Sequence, residues 1–333
     1  MQKFLVIQTA FIGDVVLATG LLEKIHQFFP TAEIDILVRD GNATLFTNHP
    51  YINDVLIWHK KQKKYQHLLH LLQQIRSKNY DIVINAQRFA ATGFLTAFSN
   101  AKLTIGFNKN PFSFLFTKKI QHQFSNSLVN SIHEIERNHL LIASFTDDVA
   151  GKPSLYPSKA DYEKVKPYKQ EQYIVIAPTS VWFTKQFPIA KWINFIQALP
   201  VKFTIYLIGA PSDKTACEQI QQSANGSNII NLAGQLSFLQ SAALQQDAVM
   251  NYVNDSAPMH FASAVNAPTT AVYCSTLPSF GYGPLSDNSF IIEVTPNLPC
   301  RPCGIHGKKA CPLGHFNCAN LITNQQLLLS LAK

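Results

Sequence analysis

The sequence lacks a long apolar segment and a secretory signal pattern. No eighteen consecutive residues are apolar, and the nearest candidate, residues 4–22, carries Asp14 in its middle, so no membrane-spanning helix is expected. Lys3 leads directly into the strand-like FLVIQ without a small-residue cleavage site, so export is not expected either. We therefore expect a cytoplasmic protein whose thiols stay reduced.

Charged residues are also scarce, at 14% of 333, whereas hydrophobic residues make up 47%. This composition excludes extensive disorder, and the length suffices for two domains of ordinary size. No short repeat or low-complexity tract is present. The glycine pattern G-x-G-x-x-G is absent from the turn after the first strand, which argues against a nicotinamide-dependent oxidoreductase.

The positive charge is unevenly distributed. The formal net charge is +8, and residues 55–132 contain eleven Lys or Arg residues against one acid, Asp81. The densest group is Lys60, Lys61, Lys63 and Lys64. Such a segment favours an anionic partner, although a solvated basic face is an equally ordinary explanation. No nucleic-acid-binding motif accompanies the charge, so nucleic acid is not expected.

Strand-like and helix-like segments alternate along the chain, which predicts α/β architecture with parallel sheets. In the first half the strands are KFLVIQ, EIDILVRD, YDIVINA and KLTIGF, with helices at 15–29 and 64–78. In the second half the strands are QYIVIAP, KFTIYLIG, NIINLAG, DAVMNYV and PTTAVYC, with helices at 189–199, 214–222, 237–246, 258–265 and 323–332.

A segment rich in Gly, Pro and charge, residues 147–172, predicts the approach to an interdomain linker. We expect two Rossmann-like doubly wound domains, 1–165 and 166–333. Ligands of such sheets bind at the carboxyl ends of the strands. Those ends are expected to face a central cleft.

Three loops at strand ends carry candidate site residues. Gly13 would allow a tight turn after the first strand, and Asp14 would be either a general base for an attacking hydroxyl or a helix cap. In PTSVWFTKQFP, the hydroxyls of the loop and its lysine suit a pyrophosphate, the alternative being a polar loop with a solvated lysine. The residues concerned are Thr179, Ser180, Thr184 and Lys185.

The third loop is NDSAPMH, which leads into a helix. Asp255 or Ser256 fits the N-cap and Pro258 the first turn, and such a helix start offers free N–H groups to phosphates. His260 taken alone is more often structural than catalytic.

Four cysteines, Cys300, Cys303, Cys311 and Cys318, lie in an irregular segment with many prolines and glycines. The leading C-x2-C spacing suits tetrahedral zinc. Reduced structural thiols are the alternative, and disulfides are disfavoured by a cytoplasmic location.

Taken in order, these segments resemble glycosyltransferase family 9, the heptosyltransferase-like enzymes of lipopolysaccharide core biosynthesis. The resemblance covers nearly the whole chain and includes the opening Gly-Asp loop, IHEIERNHLL with His133, Glu136 and Arg137, LIGAPSDK, NLAGQLS, NDSAPMHFASAV and YCSTLPSFGYGP. The stretch PTSVWFTKQFP resembles the family's Pro-Gly-Ser-x-Trp-x-x-Lys-x-Trp-Pro. Thr179, Phe187 and Ala257 depart from the usual glycine, tryptophan and glycine, so the donor loop is expected to differ in geometry.

The resemblance implies a GT-B fold and an inverting transfer that needs no metal, from an ADP-activated heptose. It implies that Asp14 is the base and that Lys185 steadies the donor phosphates. It places Asp255, Ser256, Met259 and His260 in the nucleotide-binding loop and brings Asp213 to the donor ribose.

On the acceptor side, Lys60, Lys64 and Arg88 are candidates for binding an anionic, lipid A-type glycolipid. Peripheral association with the inner face of the inner membrane would fit this charge. The alternative function is a zinc-containing binding or scaffold protein on a degenerate GT-B fold.

Overall fold

The computed structural model describes residues 1–60, 64–123, 131–224 and 228–331. By contacts it divides into two compact units. The first contains the described residues within 1–124 and 132–156, and the second contains Ser131 and the described residues within 157–333. Each unit carries a six-stranded parallel sheet with helices packed on it, which confirms the predicted α/β class with two doubly wound domains.

In the first unit the strand order is β3-β2-β1-β4-β5-β6, so the order reverses between β1 and β4. The strands are β1 Lys3–Ile7, β2 Glu33–Arg39, β3 Ile52–Trp58, β4 Ile82–Asn85, β5 Leu103–Phe107 and β6 Lys118–Ile120. The helices are α1 Ile12–Phe28, α2 Lys64–Lys78, α3 Ala90–Ala97 and α4 Glu134–His139.

Helix α2 shows how the first sheet is covered. Its apolar residues recur at helical spacing, and Leu68, Leu71, Leu72 and Ile75 are all buried. They join Leu5 and Ile7 of β1 in one core cluster. Since β1 is buried along its length from Phe4 to Ile7, it reads as a continuous apolar run, as expected of a parallel strand covered on both faces.

In the second unit the order is β12-β11-β10-β7-β8-β9, with the reversal between β10 and β7. The strands are β7 Tyr173–Ala177, β8 Thr204–Leu207, β9 Asn228–Asn231, β10 Met250–Asn254, β11 Thr269–Tyr273 and β12 Ser289–Glu293. The helices are α5 Lys159–Val165, α6 Ile189–Ala198, α7 Lys214–Ser223, α8 Phe238–Gln246, α9 Ala257–Ala264, α10 Asn317–Asn320 and α11 Asn324–Leu329. Ala332, with which the expected terminal helix ends, lies outside the described residues.

Strand β7 is packed from both sides. Ile174 and Ile176 belong to one core cluster, and Tyr173 and Val175 belong to another. Because successive strand residues point to opposite faces, the two clusters are the two covered faces of this sheet.

The chain passes into the second unit after Tyr156, earlier than the boundary at 165 expected from composition. Asp147 pairs with Lys24 of α1 at 2.9 Å, which holds the preceding segment on the first unit. Helix α5 packs on α8 and buries Val165 in the second unit's core. Proline and glycine content therefore indicated the region where the chain passes from the first unit to the second, but not that α5 packs on the second unit.

Candidate functional site

Lys185 and Asp255 meet at the point where the strand order of the second sheet reverses. Lys185 lies in the loop that follows β7, and Asp255 lies between β10 and α9, the two strands being adjacent and parallel. Lys185 Nζ is 2.7 Å from Asp255 Oδ2, with side chains only 15% and 8% exposed. Ligands of doubly wound sheets bind at this position, so the Lys185–Asp255 pair lies where such a sheet would hold a ligand.

Asp255 has a second partner that sequence reasoning missed. The Thr276 hydroxyl, just after β11, donates to Asp255 Oδ2 at 2.7 Å. The carboxylate is therefore satisfied by one cation and one hydroxyl, as a buried charge requires. Lys185 is thus held next to the N-terminus of α9, whose first turn also favours an anion.

Asn254, the last residue of β10, is hydrogen-bonded to the lysine loop, residues 178–188 between β7 and α6, which carries Lys185. Its Oδ1 accepts from the Phe187 N–H at 2.9 Å, and its Nδ2 donates to the Thr179 carbonyl at 3.3 Å. Sequence analysis did not assign this residue. An amide at the buried end of a strand, directly before Asp255, is the signal that would have found it.

Thr184 lies in the internal support of the lysine loop and is 1% exposed. Its hydroxyl oxygen accepts from the Lys308 N–H at 2.8 Å and from the Ser275 hydroxyl at 2.9 Å. Thr184 was predicted to contact donor phosphate. In this arrangement its oxygen serves the loop, so we assign it a positioning role.

Residues at the start of α9 divide into two kinds. Ser256 is the N-cap in extended conformation, without a side-chain capping bond, and Pro258 lies in the first turn. Met259 is fully buried in the core, where Tyr273 Oη donates to its Sδ at 3.6 Å, and His260 is 5% exposed. Ser256 therefore stands at the helix start, whereas Met259 supports the helix from within.

The other predicted donor contacts lie on loops at the same edge of the second sheet. Thr179 and Ser180 are half-buried in the lysine loop, and the Ser180 carbonyl accepts from Gln186 Nε2 at 2.6 Å. Asp213, in the loop after β8, accepts the Ala210 N–H at 2.7 Å. Its carboxylate therefore already closes its own turn.

In the first unit, Gly13 and Asp14 lie inside the first turn of α1, next to the reversal point of the sheet. The N-cap is Phe11, so Asp14 is not the N-cap residue. The turn expected at Gly13 is wrong, because α1 begins at Ile12 and residues 8–11 connect it to β1. A carboxylate three residues into a helix is stabilised in its charged form by the helix dipole.

Lys60 lies beside the loop that leads to Asp14. Its ammonium donates to the Thr9 carbonyl at 2.7 Å and lies 4.7 Å from the Trp58 ring centroid. Burial, together with the charges of Arg39 and Lys64, lowers the pKa of Lys60 to about 8. Of the basic group predicted from sequence, Lys61 and Lys63 lie outside the described residues.

Arg88 is exposed in the loop after β4. Burial lowers the pKa of His122 to about 4, and the charges of Arg88, Arg137 and Lys109 add to the shift. The three cations therefore all lie near His122, and Arg88 belongs to a positively charged region of the first unit.

The segment containing Arg137 is structural. His133 caps α4, Glu136 accepts the His133 N–H at 2.7 Å, and Arg137 is 1% exposed and paired with Glu134. A buried ion pair of this kind holds the segment in place rather than offering charge to a ligand.

The cysteine-rich loop, residues 299–318, surrounds a cavity of about 410 Å³. Cys300, Cys303, Cys311 and Cys318 all line it, and all are free thiols. In the described part of the chain, no three His, Cys, Asp or Glu side chains already stand at metal-binding spacing.

Solved structures share this architecture over almost the whole chain. The structure of glycosyl transferase family 9 from Veillonella parvula superposes with a TM-score of 0.85 at 18% identity, covering 99% of this chain and 96% of that one. The Escherichia coli heptosyltransferase WaaC with ADP superposes with a TM-score of 0.75 at 19% identity, covering 99% of both. The fold is therefore that of the GT-B glycosyltransferases.

The family follows from the sequence comparisons. The model of glycosyltransferase family 9 (heptosyltransferase) matches residues 68–313. Lipopolysaccharide heptosyltransferase 3 of Escherichia coli is 26% identical over 280 residues, which cover 80% of this chain and 82% of that protein. The chain belongs to glycosyltransferase family 9, and it is a glycosyltransferase that uses a nucleotide-sugar donor. The alternative of a scaffold protein is not favoured.

Proposed function

We propose that this enzyme transfers a heptose from ADP-heptose to a lipopolysaccharide core acceptor, with inversion and without a catalytic metal. The observation that carries the proposal is the Lys185–Asp255 pair at the start of α9, at 2.7 Å. Two comparisons support the choice of substrates: a relative named lipopolysaccharide heptosyltransferase and a structural neighbour solved with ADP.

On the donor side, Lys185 supplies the charge for the diphosphate. As the bond from the anomeric carbon to the phosphate oxygen breaks, negative charge develops on the leaving ADP. Lys185 and the first turn of α9 stabilise that charge. The Lys185 ammonium carries three N–H donors, so it donates to phosphate while it stays paired with Asp255, and the buried carboxylate keeps its cation.

On the acceptor side, Asp14 is the general base. The acceptor hydroxyl gives its proton to the Asp14 carboxylate, and its oxygen forms the new bond to the anomeric carbon from the face opposite the diphosphate. ADP leaves with the bonding electron pair. No redox partner or metal enters this balance, and the anomeric centre is inverted.

The anionic part of the acceptor is bound by Lys60, Lys64 and Arg88. Phosphates and sugar-acid carboxylates of a lipid A-type glycolipid match these cations. In the described ranges, no helix has the length and apolar character needed to cross a bilayer. We further propose that the enzyme works in the cytoplasm and approaches the inner membrane peripherally, where basic surfaces meet anionic lipid.

A transfer assay tests the proposal directly. A panel of nucleotide sugars is offered with truncated lipopolysaccharide acceptors, with and without a chelator. We expect transfer from ADP-heptose that withstands the chelator, and a product of inverted anomeric configuration by NMR. Transfer from another nucleotide sugar only, or retention of configuration, would contradict the proposal.

Lys60 makes acceptor binding pH-dependent. Its pKa is about 8, so the charged form that binds an anion is lost as pH rises through that value. Between pH 7 and pH 9 the acceptor KM should rise roughly tenfold. Lys60→Arg, which stays charged, should remove this rise. Dividing the wild-type profile of acceptor KM against pH by the Lys60→Arg profile cancels every ionisation that the two enzymes and their acceptor have in common. Parallel profiles for the two enzymes would show that Lys60 does not bind the acceptor in its charged form.

A further inference from the structure

The cysteine-rich loop has no helix or strand between the end of β12 at Glu293 and the start of α10 at Asn317. Gly304 and Gly314 adopt positive φ, at 92° and 74°. The conformation of such a segment depends on its hydrogen bonds and packing contacts with the rest of the unit. Several of these contacts are made with the donor loops.

The first set of contacts is made with the lysine loop. The Lys308 N–H donates to Thr184 Oγ1 at 2.8 Å, and the Thr184 N–H donates to the Lys308 carbonyl at 3.1 Å. Gly307, with φ of 77°, lies so close to Lys185 that a Cβ there would stand 2.9 Å from Lys185 Cγ. The cysteine-rich loop is therefore the surface against which the Lys185 side chain packs.

The second set of contacts is made with Ser275 and Thr276, the segment after β11 that contacts Asp255. The Cys303 N–H donates to the Ser275 carbonyl at 2.9 Å. Buried Arg301 donates to the Thr276 carbonyl at 2.6 Å, and the Thr276 side chain in turn binds Asp255. Both members of the Lys185–Asp255 pair are thus positioned by the same loop.

The four thiols of the loop form a set that suits a soft metal. Cys300, Cys303, Cys311 and Cys318 line the same cavity of about 410 Å³. Four cysteines form the tetrahedral sulfur site typical of zinc or iron. His315 Nδ1 is already engaged, because it accepts the Asn317 N–H at 3.0 Å.

We propose that Cys300, Cys303, Cys311 and Cys318 bind one thiophilic divalent metal, and that this metal fixes the loop that positions Lys185. The thiols line one cavity but are not yet at metal-binding spacing, so metal binding is coupled to a rearrangement of the loop. The metal is structural and takes no part in the transfer. Its effect on ADP affinity rests on the donor site of the proposed function.

Metal content is the first measurement. Full-length protein purified without added metal is analysed for zinc and iron, and we expect about one atom per chain. Cys303→Ser with Cys311→Ser should reduce this to background, and Cys217→Ala, which removes a buried cysteine of α7 that does not line the cavity, should not. A wild-type protein that holds no stoichiometric metal, and that takes up none from a zinc titration against a chromophoric chelator, would overturn the site.

ADP binding by calorimetry is the second measurement. Removing metal from the wild type with a strong chelator should weaken ADP binding roughly tenfold, a modest coupling free energy, and zinc should restore it. This arm does not depend on the folding of the cysteine variants. Unchanged ADP affinity after metal loss would overturn the coupling, whereas a loaded wild type that never binds ADP would refute the donor assignment and leave the metal site standing.

Gly307→Ala separates the metal from the contact it controls. A side chain at this position meets Lys185 Cγ at 2.9 Å and Thr184 Oγ1 at 3.0 Å, on a backbone with φ of 77°. We expect full metal content with ADP affinity several-fold weaker. Gly283, where a Cβ meets nothing within 4 Å, is the matched glycine control, and Gly283→Ala should bind ADP as the wild type does. Wild-type ADP affinity in Gly307→Ala would contradict the contact.

Discussion

Replacing Asp14 by asparagine is expected to lower kcat for heptosyl transfer by roughly 10²–10⁴-fold, the usual contribution of a general base. The change keeps the shape and half-buried position of the side chain in the first turn of α1. It removes the negative charge and with it the site that accepts the proton. Loss of the favourable charge at the helix N-terminus costs about 0.3–1 kcal/mol, so the fold should persist. Steady-state kinetics with saturating donor and acceptor measure the effect.

Asp40→Asn is the matched control in the same unit, because Asp40 is an exposed acid paired with His59 at 3.3 Å. It should change kcat less than twofold. The Asp14 variant should bind ADP as the wild type does and melt within a few degrees of it. Near-normal turnover by a folded Asp14→Asn enzyme would refute the base assignment, and a large fall in melting temperature would make the residue structural.

The sequence predicted strands well where the chain is apolar and buried on both faces. The run YIVIA is β7, and the amphipathic pattern at 64–78 is α2 with the same bounds. Strand β3, INDVLIW, was missed because Asn53 and Asp54 interrupt its apolar pattern. Lys78, at the end of α2, offsets the acid by pairing with Asp54 at 2.6 Å, and such a partner is visible only after folding.

Sequence reasoning placed the candidate residues on loops at strand ends but did not predict the contacts of their side chains. Position at strand ends identified the loops of Lys185 and Asp255, since both follow neighbouring strands at a reversal point. The role of Thr184 could not be read in the same way, because its partner Lys308 lies 124 residues away in sequence. Local pattern shows that a hydroxyl is present, whereas long-range contacts decide whether it faces ligand or protein.

The same limit applied to Gly13 and Met259. A glycine after a strand suggests a turn, yet α1 begins one residue before Gly13. Met259 lies in a loop motif that the resemblance assigns to the nucleotide, yet its side chain is fully buried. Gly13 therefore lies inside the helix that carries Asp14, and Met259 packs in the core beneath the helix that follows Ser256.

Lys185→Ala is expected to lower kcat/KM by roughly 10²–10³-fold, because it removes the charge that meets the leaving diphosphate. It also leaves Asp255, 8% exposed, without its cation. Removing one partner of a buried ion pair costs about 3–5 kcal/mol, so a lower melting temperature should accompany the loss. Activity alone would therefore confuse a chemical role with a structural one.

The double variant Lys185→Ala with Asp255→Asn separates the two roles. Asparagine needs no cation and can still accept from Thr276, so the melting temperature should recover toward that of the wild type. ADP affinity should stay low, because the cation for the diphosphate is still missing. Lys214→Gln, which breaks an exposed pair with Glu218 at 3.8 Å, should leave ADP affinity and kcat within twofold of the wild type. If the stabilised double variant bound ADP like the wild type, Lys185 would serve only to neutralise Asp255, and the phosphate role would pass to the first turn of α9.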